Sequence, residues 1–156
     1  MGPLTSQAQW LKVAGYFASA RDEGLRCMAG GKAVDRDGWF VSPTLYVDVP
    51  ASSRLWQEEL FGPVLCAQRF STEQQAIAHA HDSLFGLVAT VCFYDLQRAE
   101  RVVDSLEVGH VWINSVQAVF VETSWGGTKA SGIGRELGPW GLSAYQAVKH
   151  VTRCLG

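Results

Sequence analysis

The chain has 156 residues, a length that suits one domain and is short for two. Its 13 Lys and Arg residues against 15 Asp and Glu residues leave a formal charge of −2, which argues against a nucleic-acid partner. Apolar residues make up 47% of the chain, which excludes a disordered protein. No run of 18 apolar residues and no signal peptide is present, so we expect a cytoplasmic protein with no membrane partner.

The first part of the chain predicts one helix followed by strands. Apolar residues from Trp10 to Ala18 fall on one face of a helix spanning 6–22, with Thr5 or Ser6 as its N-cap and Gly24 at its end. The segments 39–41 and 45–49 are rich in β-forming residues, and Pro43 between them indicates an edge or a bulge. Residues 64–70 read as a further strand.

The middle of the chain alternates between strand and helix patterns. Thr72 and Gln75 are spaced as a capping box for a helix that Gly86 closes, and the strand 87–94 follows. Asp95 caps the next helix, and 110–114 is again a strand. This alternation predicts βαβ units, hence an α/β fold with a largely parallel sheet.

The last part of the chain is less regular. Residues 115–141 are rich in Gly and Trp without a sustained period, which predicts a long functional loop. Residues 145–155 alternate between apolar and polar side chains, which is typical of a terminal strand.

The four cysteines, Cys27, Cys66, Cys92 and Cys154, are far apart and show no Cys-x-x-Cys or zinc-ligand spacing. The four histidines form no pair at i, i+4. We therefore predict no metal site, and reduced, mostly buried thiols rather than disulfides.

Four segments resemble motifs of the aldehyde dehydrogenase superfamily, in the family's order and spacing. They are 58–64 (EELFGPV), 112–114 (WIN), 125–138 (WGGTKASGIGRELG) and 141–149 (GLSAYQAVK). The likeness runs from Gly2 to Leu155 and is greatest to the betaine-aldehyde-dehydrogenase-like group. It implies that 1–144 is the C-terminal part of an aldehyde dehydrogenase catalytic domain and that 145–156 is a terminal oligomerisation strand.

The resemblance implies that Glu59 and Phe61 bind the nicotinamide ribose of NAD or NADP. The chemistry suits these residue types, because a carboxylate accepts hydrogen bonds from two ribose hydroxyls and an aromatic ring two residues on packs against the rings. From the residues alone, a surface carboxylate and a core Phe remain an alternative.

The resemblance also implies a substrate pocket formed by Asn114, Val116, Gln117, Val119 and Trp125. In the family, Asn114 would be a polar anchor at the pocket mouth, whereas the residue pattern alone equally allows a turn-forming Asn. Trp125 stands where an aromatic ring can flank an aldehyde or hold a quaternary ammonium by cation–π attraction, and a core Trp is the alternative.

Aldehyde oxidation requires a nucleophilic Cys, a carboxylate base and a dinucleotide-binding domain. None of the four cysteines lies in a segment like the family's nucleophile motif, so no catalytic residue is predicted here. His81 and Ser124 depart from the family's usual Asn and Pro.

Because the nucleophile, the base and the dinucleotide-binding domain are not recognised in this chain, three hypotheses follow. The chain is an inactive piece of an aldehyde dehydrogenase, a binding or regulatory chain that docks on a full-length relative, or a subunit that complements a separate N-terminal chain. We expect weak or no NAD binding by the chain alone, and homo-oligomers formed through the terminal strand.

Overall fold

The computed structural model describes residues 1–156, which form two compact units, the first unit over 1–82 and the second unit over 83–156. Both units are α/β, as the sequence predicts. The elements, in chain order, are α1 (Gln7–Asp22), β1 (Arg26–Ala29), β2 (Thr44–Val47), α2 (Arg54–Gln57), β3 (Val64–Ala67), α3 (Glu73–His81), β4 (Phe85–Gly86), β5 (Val88–Val91), α4 (Leu96–Ser105), β6 (His110–Ile113), β7 (Thr128–Lys129) and α5 (Gly138–Ser143).

Helix α1 confirms the predicted first helix. The Ser6 side chain accepts a hydrogen bond from the Gln9 amide at 3.2 Å and so satisfies one of the free N–H groups of the first turn. Gly24, with φ of 67°, follows the helix end in the left-handed conformation that glycine adopts without steric cost.

The first unit packs α1 against a three-stranded sheet in the order β1-β2-β3. Strands β1 and β2 are antiparallel with a bulge between Cys27 and Ala29, whereas β2 and β3 are parallel with Thr44 opposite Val64. The core is formed by one face of α1, the inward side chains of the sheet and the residues around α2: Val13, Tyr16, Phe17, Ala20, Val41, Tyr46, Val49, Leu55 and Val64.

The second unit contains the predicted strand–helix–strand crossover. Strands β5 and β6 are parallel, with Val88 opposite His110, and α4 connects them. The Asp95 carboxylate caps α4 by accepting from the Arg98 amide at 3.1 Å. A separate antiparallel pair joins β4 to β7, with Phe85 opposite Lys129.

The predicted largely parallel sheet needs correction. The structure has three small sheets, and two of the four strand pairs are antiparallel. Parallel pairing requires a long crossover, and a helix supplies one between β5 and β6. The connection from β1 to β2 contains no helix, and a loop there is sufficient for an antiparallel return.

Three local predictions also need correction. The third helix ends at His81 instead of reaching Gly86, and Phe85–Gly86 is a strand because it pairs with a segment of the predicted long loop. Thr72 does accept from the Gln75 amide at 3.2 Å, but the Gln75 side chain accepts from Ser71 instead of closing the box on Thr72. Three of the four thiols are exposed, because Cys27 lies in the edge strand β1, Cys92 follows the end of β5 and Cys154 lies in the exposed tail.

Residues 145–156 form no strand within the chain and are exposed throughout. A strand forms only when its N–H and C=O groups pair with another strand, and residues 145–156 pair with no strand of this chain. Pairing of this segment with another subunit therefore stays a prediction. None of the helices is long and apolar enough to cross a membrane.

Candidate functional site

Glu59 and Phe61 lie in the turn between α2 and β3, in the first unit. The Phe61 ring is 73% exposed, so the core-Phe alternative is wrong. Phe61 has a φ of 47°, and its carbonyl accepts a hydrogen bond from the Gln9 side chain of α1. The Glu59 side chain is exposed and makes no hydrogen bond or ion pair within the chain.

These two side chains suit a nicotinamide nucleoside. The Glu59 carboxylate keeps all its acceptor sites for hydroxyl donors, as a ribose diol requires. The exposed Phe61 ring offers an apolar face that nothing in the first unit covers, and a flat heterocycle can pack on it. The residues present therefore fit the cofactor that the sequence motif implies.

The neighbouring carboxylate, Glu58, is held by two hydrogen bonds. Arg54 donates from Nε at 2.8 Å, one helical turn earlier, and the Tyr16 hydroxyl donates at 2.8 Å from α1. These bonds, that of Arg54 foremost, hold the pKa of the Glu58 carboxyl below its ordinary value. Burial, and secondly the bond to Glu58, raise the pKa of the Tyr16 hydroxyl.

Sequence reasoning missed Tyr16 and Gln9 as supports of this turn. The predicted apolar face of α1 is Trp10, Val13, Ala14, Phe17 and Ala18. The buried residues are Val13, Tyr16, Phe17 and Ala20, so the prediction was right for Val13 and Phe17 and missed Tyr16 and Ala20. The signal was available in part, because Tyr16 follows Val13 at i+3 and a buried tyrosine hydroxyl needs a hydrogen-bond partner.

In the second unit, Asn114 extends the β5–β6 pairing by one step through its side chain. Its Oδ1 accepts from the Phe93 amide at 2.9 Å, and its Nδ2 donates to the Phe93 carbonyl at 2.8 Å. Its backbone has a φ of 52°, a conformation that Asn tolerates better than most residues. Asn114 thus ends β6 and ties it to the end of β5. Its place at the mouth of a substrate pocket stays a prediction.

An aromatic cluster holds the predicted pocket loop. His110, Trp112 and Trp125 lie with ring centroids 4.5 to 5.8 Å apart. Trp112 is buried, and its indole N–H donates to the Ala118 carbonyl at 2.8 Å. Sequence reasoning did not assign this role to Trp112. The Trp125 ring is half-buried, so it is neither a core Trp nor fully open.

The other predicted pocket residues are exposed at the start of the same loop. Val116 and Val119 are 68% and 50% exposed, and Gln117 has a φ of 56°. The structure therefore brings Asn114, the loop residues and Trp125 into one unit, ordered by Phe93 and Trp112.

The thiols and other titratable groups form no further site. Burial raises the pKa of the Cys66 thiol, which disfavours the thiolate. No group of three or more His, Cys, Asp or Glu side chains is placed to hold a metal ion.

The sequence model of the aldehyde dehydrogenase family matches residues 1–151. The chain belongs to the aldehyde dehydrogenase family. It is 47% identical over 155 residues to aminoaldehyde dehydrogenase 1, peroxisomal, of Pisum sativum, and 45% identical over 155 residues to betaine aldehyde dehydrogenase, chloroplastic, of Amaranthus hypochondriacus. Each match covers 98% of this chain and 31% of the relative, so the chain spans about a third of these relatives.

The crystal structure of betaine aldehyde dehydrogenase from Staphylococcus aureus in complex with NAD+ has the same fold over this region. The TM-score is 0.92 at 44% identity, with 97% of this chain and 31% of that chain covered. These relatives confirm the family, and they are themselves betaine and aminoaldehyde dehydrogenases. The plant relatives are peroxisomal and chloroplastic, so the expected cytoplasmic location of this chain stays a prediction.

The double hydrogen bond of Asn114 leads to a stability prediction. Asn114→Ala removes both hydrogen bonds to Phe93. Alanine also tolerates a positive φ less well than asparagine, because it has no polar side chain to hydrogen-bond locally. We therefore expect the free energy of unfolding to fall by about 2 kcal/mol. Asn114→Gly removes the bonds without the backbone cost, and we expect about half that loss. Amide hydrogen exchange of β5 and β6 measures both, and an Asn114→Ala variant as protected as the unsubstituted chain would contradict the anchoring role.

The raised pKa of Tyr16 predicts how stability changes at alkaline pH. The folded state favours the protonated hydroxyl, so this contribution is complete below about pH 10, the tyrosine pKa of an unfolded chain, and is lost as pH rises through the folded-state value. Tyr16→Phe lacks the titrating group. Urea unfolding from pH 8 to 11 should therefore show a steeper alkaline loss in the unsubstituted chain than in Tyr16→Phe, and equal slopes would disprove the linkage.

Proposed function

We propose that the chain is the C-terminal part of the catalytic domain of an NAD(P)-dependent aldehyde dehydrogenase that oxidises an aminoaldehyde or betaine aldehyde to its acid. The observation that carries this proposal is the superposition on the NAD+ complex of betaine aldehyde dehydrogenase over 97% of this chain. The names of the plant relatives support the substrate class. The motif order supports the C-terminal placement.

In the complete enzyme, this chain would supply binding surfaces and no reacting group. Glu59 would accept the hydroxyls of the nicotinamide ribose, and Phe61 would cover one side of the rings. When bound, the nicotinamide ring supplies the hydride acceptor. The thiol nucleophile and the carboxylate base would come from the remaining two-thirds of the enzyme.

The second unit would shape the aldehyde site. Val116 and Val119 offer apolar walls, and Trp125 offers a ring face to a cationic ammonium group. The contacts of Trp125 with Trp112 and His110 would fix the angle of that face. A rigid aromatic wall suits a quaternary or primary ammonium substituent on the aldehyde.

A second candidate function is that of a complementing or regulatory chain that docks on a separate N-terminal chain or on a full-length relative. It is favoured by the large apolar side chains that each unit exposes, such as Leu65, Ile133 and Trp140 at 69%, 95% and 71%. Such surfaces are typical of proteins that are covered by a partner.

Activity by complementation tests the proposed function. We expect that the chain alone reduces neither NAD nor NADP with betaine aldehyde or aminoaldehydes, since two cofactor contacts cannot offset the several kcal/mol lost on binding. Mixing it with the separately expressed N-terminal two-thirds of a betaine aldehyde dehydrogenase should restore NADH absorbance. A matched mixture with Glu59→Ala should show a higher KM for NAD.

Two results would contradict this assignment. Cofactor reduction by the chain alone, surviving replacement of all four cysteines by serine, would show a chemistry that needs no thiol. A mixture in which Glu59→Ala and Phe61→Ala leave the KM for NAD unchanged would remove both residues from the cofactor site.

We also propose that the chain forms homo-oligomers through residues 145–156. Large apolar side chains here are exposed, namely Tyr145, Val148, Val151 and Leu155, and the segment pairs with no strand of this chain, so its backbone is open to pairing with another strand. Lys149 and Arg153 would oppose open-ended stacking, so a closed oligomer is expected. Light scattering should show a dimer or larger species that a deletion after Tyr145 converts to a smaller one; an oligomer indifferent to the deletion would contradict the proposal.

A further inference from the structure

Two adjacent carboxylates in the 58–64 motif have opposite surroundings. Glu58 is bonded to α1 and α2, whereas Glu59 is exposed and unbonded. The backbone at Glu58 is extended, with φ of −103° and ψ of 154°, and consecutive side chains of an extended backbone point to opposite sides. Attachment of Glu58 to the helices therefore turns Glu59 outward.

The attachment point on α1 is rigid. Tyr16 is 1% exposed, and core packing fixes its ring, so its hydroxyl has a defined position. The Arg54 guanidinium lies 4.7 Å from the centroid of the Tyr16 ring while its Nε binds Glu58. Arg54 and Tyr16 thus contact each other as well as the carboxylate, and their arrangement is mutually supporting.

The same helix holds the other side of Glu59. Gln9 donates to the Phe61 carbonyl, and a Cβ at Gly62 would lie only 2.8 Å from Val13 Cγ2, so the backbone there rests directly on α1. Gln9, Val13 and Tyr16 are spaced i, i+4, i+7 and therefore share one face of the helix. The turn is attached on both sides of Glu59 to one rigid element.

We propose that Tyr16, acting through Glu58 and assisted by Arg54, is a positioning residue for Glu59, and that it presents the Glu59 carboxylate to the ribose diol of a nicotinamide nucleotide. This inference rests on the proposed cofactor role of Glu59 and adds the means by which its position is set. Tyr16 and Glu58 themselves touch no cofactor in this scheme.

Backbone dynamics of the full chain test the positioning without any ligand. In the unsubstituted chain, the 15N order parameter of the Glu59 amide should be about 0.85, the value of rigid backbone, and in Glu58→Ala it should fall below about 0.6. Glu58 is at the surface, so this variant keeps its core. Glu23→Ala, an exposed carboxylate at the end of α1, is the matched control and should leave the value unchanged. An unchanged order parameter in Glu58→Ala would overturn the proposal.

Two further variants separate the Tyr16 bond from a general loss of packing. Tyr16→Phe removes only the hydroxyl and should lower the Glu59 order parameter, whereas Tyr46→Phe alters another buried tyrosine of the same core and should not. Glu58→Gln keeps an oxygen that accepts from Tyr16 and should retain most of the rigidity. Two results would show that Tyr16 does not position Glu59. One is a Glu59 order parameter in Glu58→Gln as low as in Glu58→Ala, and the other is a Glu59 order parameter in Tyr16→Phe as high as in the unsubstituted chain.

Binding of nicotinamide mononucleotide at millimolar concentration, followed by saturation-transfer NMR, separates this proposal from the cofactor role. Transfer to the ribose protons should be abolished by Glu59→Ala, reduced at least about threefold by Glu58→Ala, and unaffected by Glu23→Ala. If Glu59→Ala is the only variant that reduces the transfer, Glu59 keeps its cofactor role and the positioning role of Tyr16 and Glu58 is rejected. Transfer that Glu59→Ala leaves unchanged would count against the cofactor role, and the order parameters would then decide the positioning alone.

Discussion

The first unit depends on helix α1. The buried face of this helix forms much of the core and also supports the turn that contains Glu59 and Phe61. Val13, Tyr16 and Phe17 are at most 2% exposed, and they pack on the sheet and on Leu55 of α2. Burial of such side chains contributes about 1.5 to 3 kcal/mol each, far more than an exposed ion pair. Apolar packing fixes the Tyr16 side chain, and its hydroxyl donates to Glu58 from that fixed position.

The second unit achieves order in a different way. Its sheets are small, yet the ends of β5 and β6 are joined by the Asn114 side chain, and the loop that follows is held by the Trp112 indole. Both contacts satisfy backbone groups that lie beyond the strand ends. Each unit thus presents candidate site residues on a turn or loop that polar side chains fix to regular structure.

The elements predicted well are those with local signals. Helix α1 and its Ser6 cap, the Asp95 cap of α4 and the β5–α4–β6 crossover follow from periodicity and from side chains that hydrogen-bond within a few residues. The extent of the third helix and the exposure of the thiols were predicted wrongly, and the pairing of β4 with β7 was not predicted at all. Those features depend on partners about 40 residues away or on which side of a strand is covered, and a local pattern contains neither.

The sequence by itself predicted the family, helix α1, the β5–α4–β6 crossover, and Glu59, Phe61, Asn114 and Trp125 as candidate residues, because these are recognised from residue types at short spacings. Only the tertiary structure decided that, of two adjacent exposed carboxylates, Glu58 is hydrogen-bonded and Glu59 is not, and that Tyr16 and Trp112 support the two candidate sites. The physical reason is that Tyr16 lies 42 residues from Glu58 and meets it only when α1 packs beside α2.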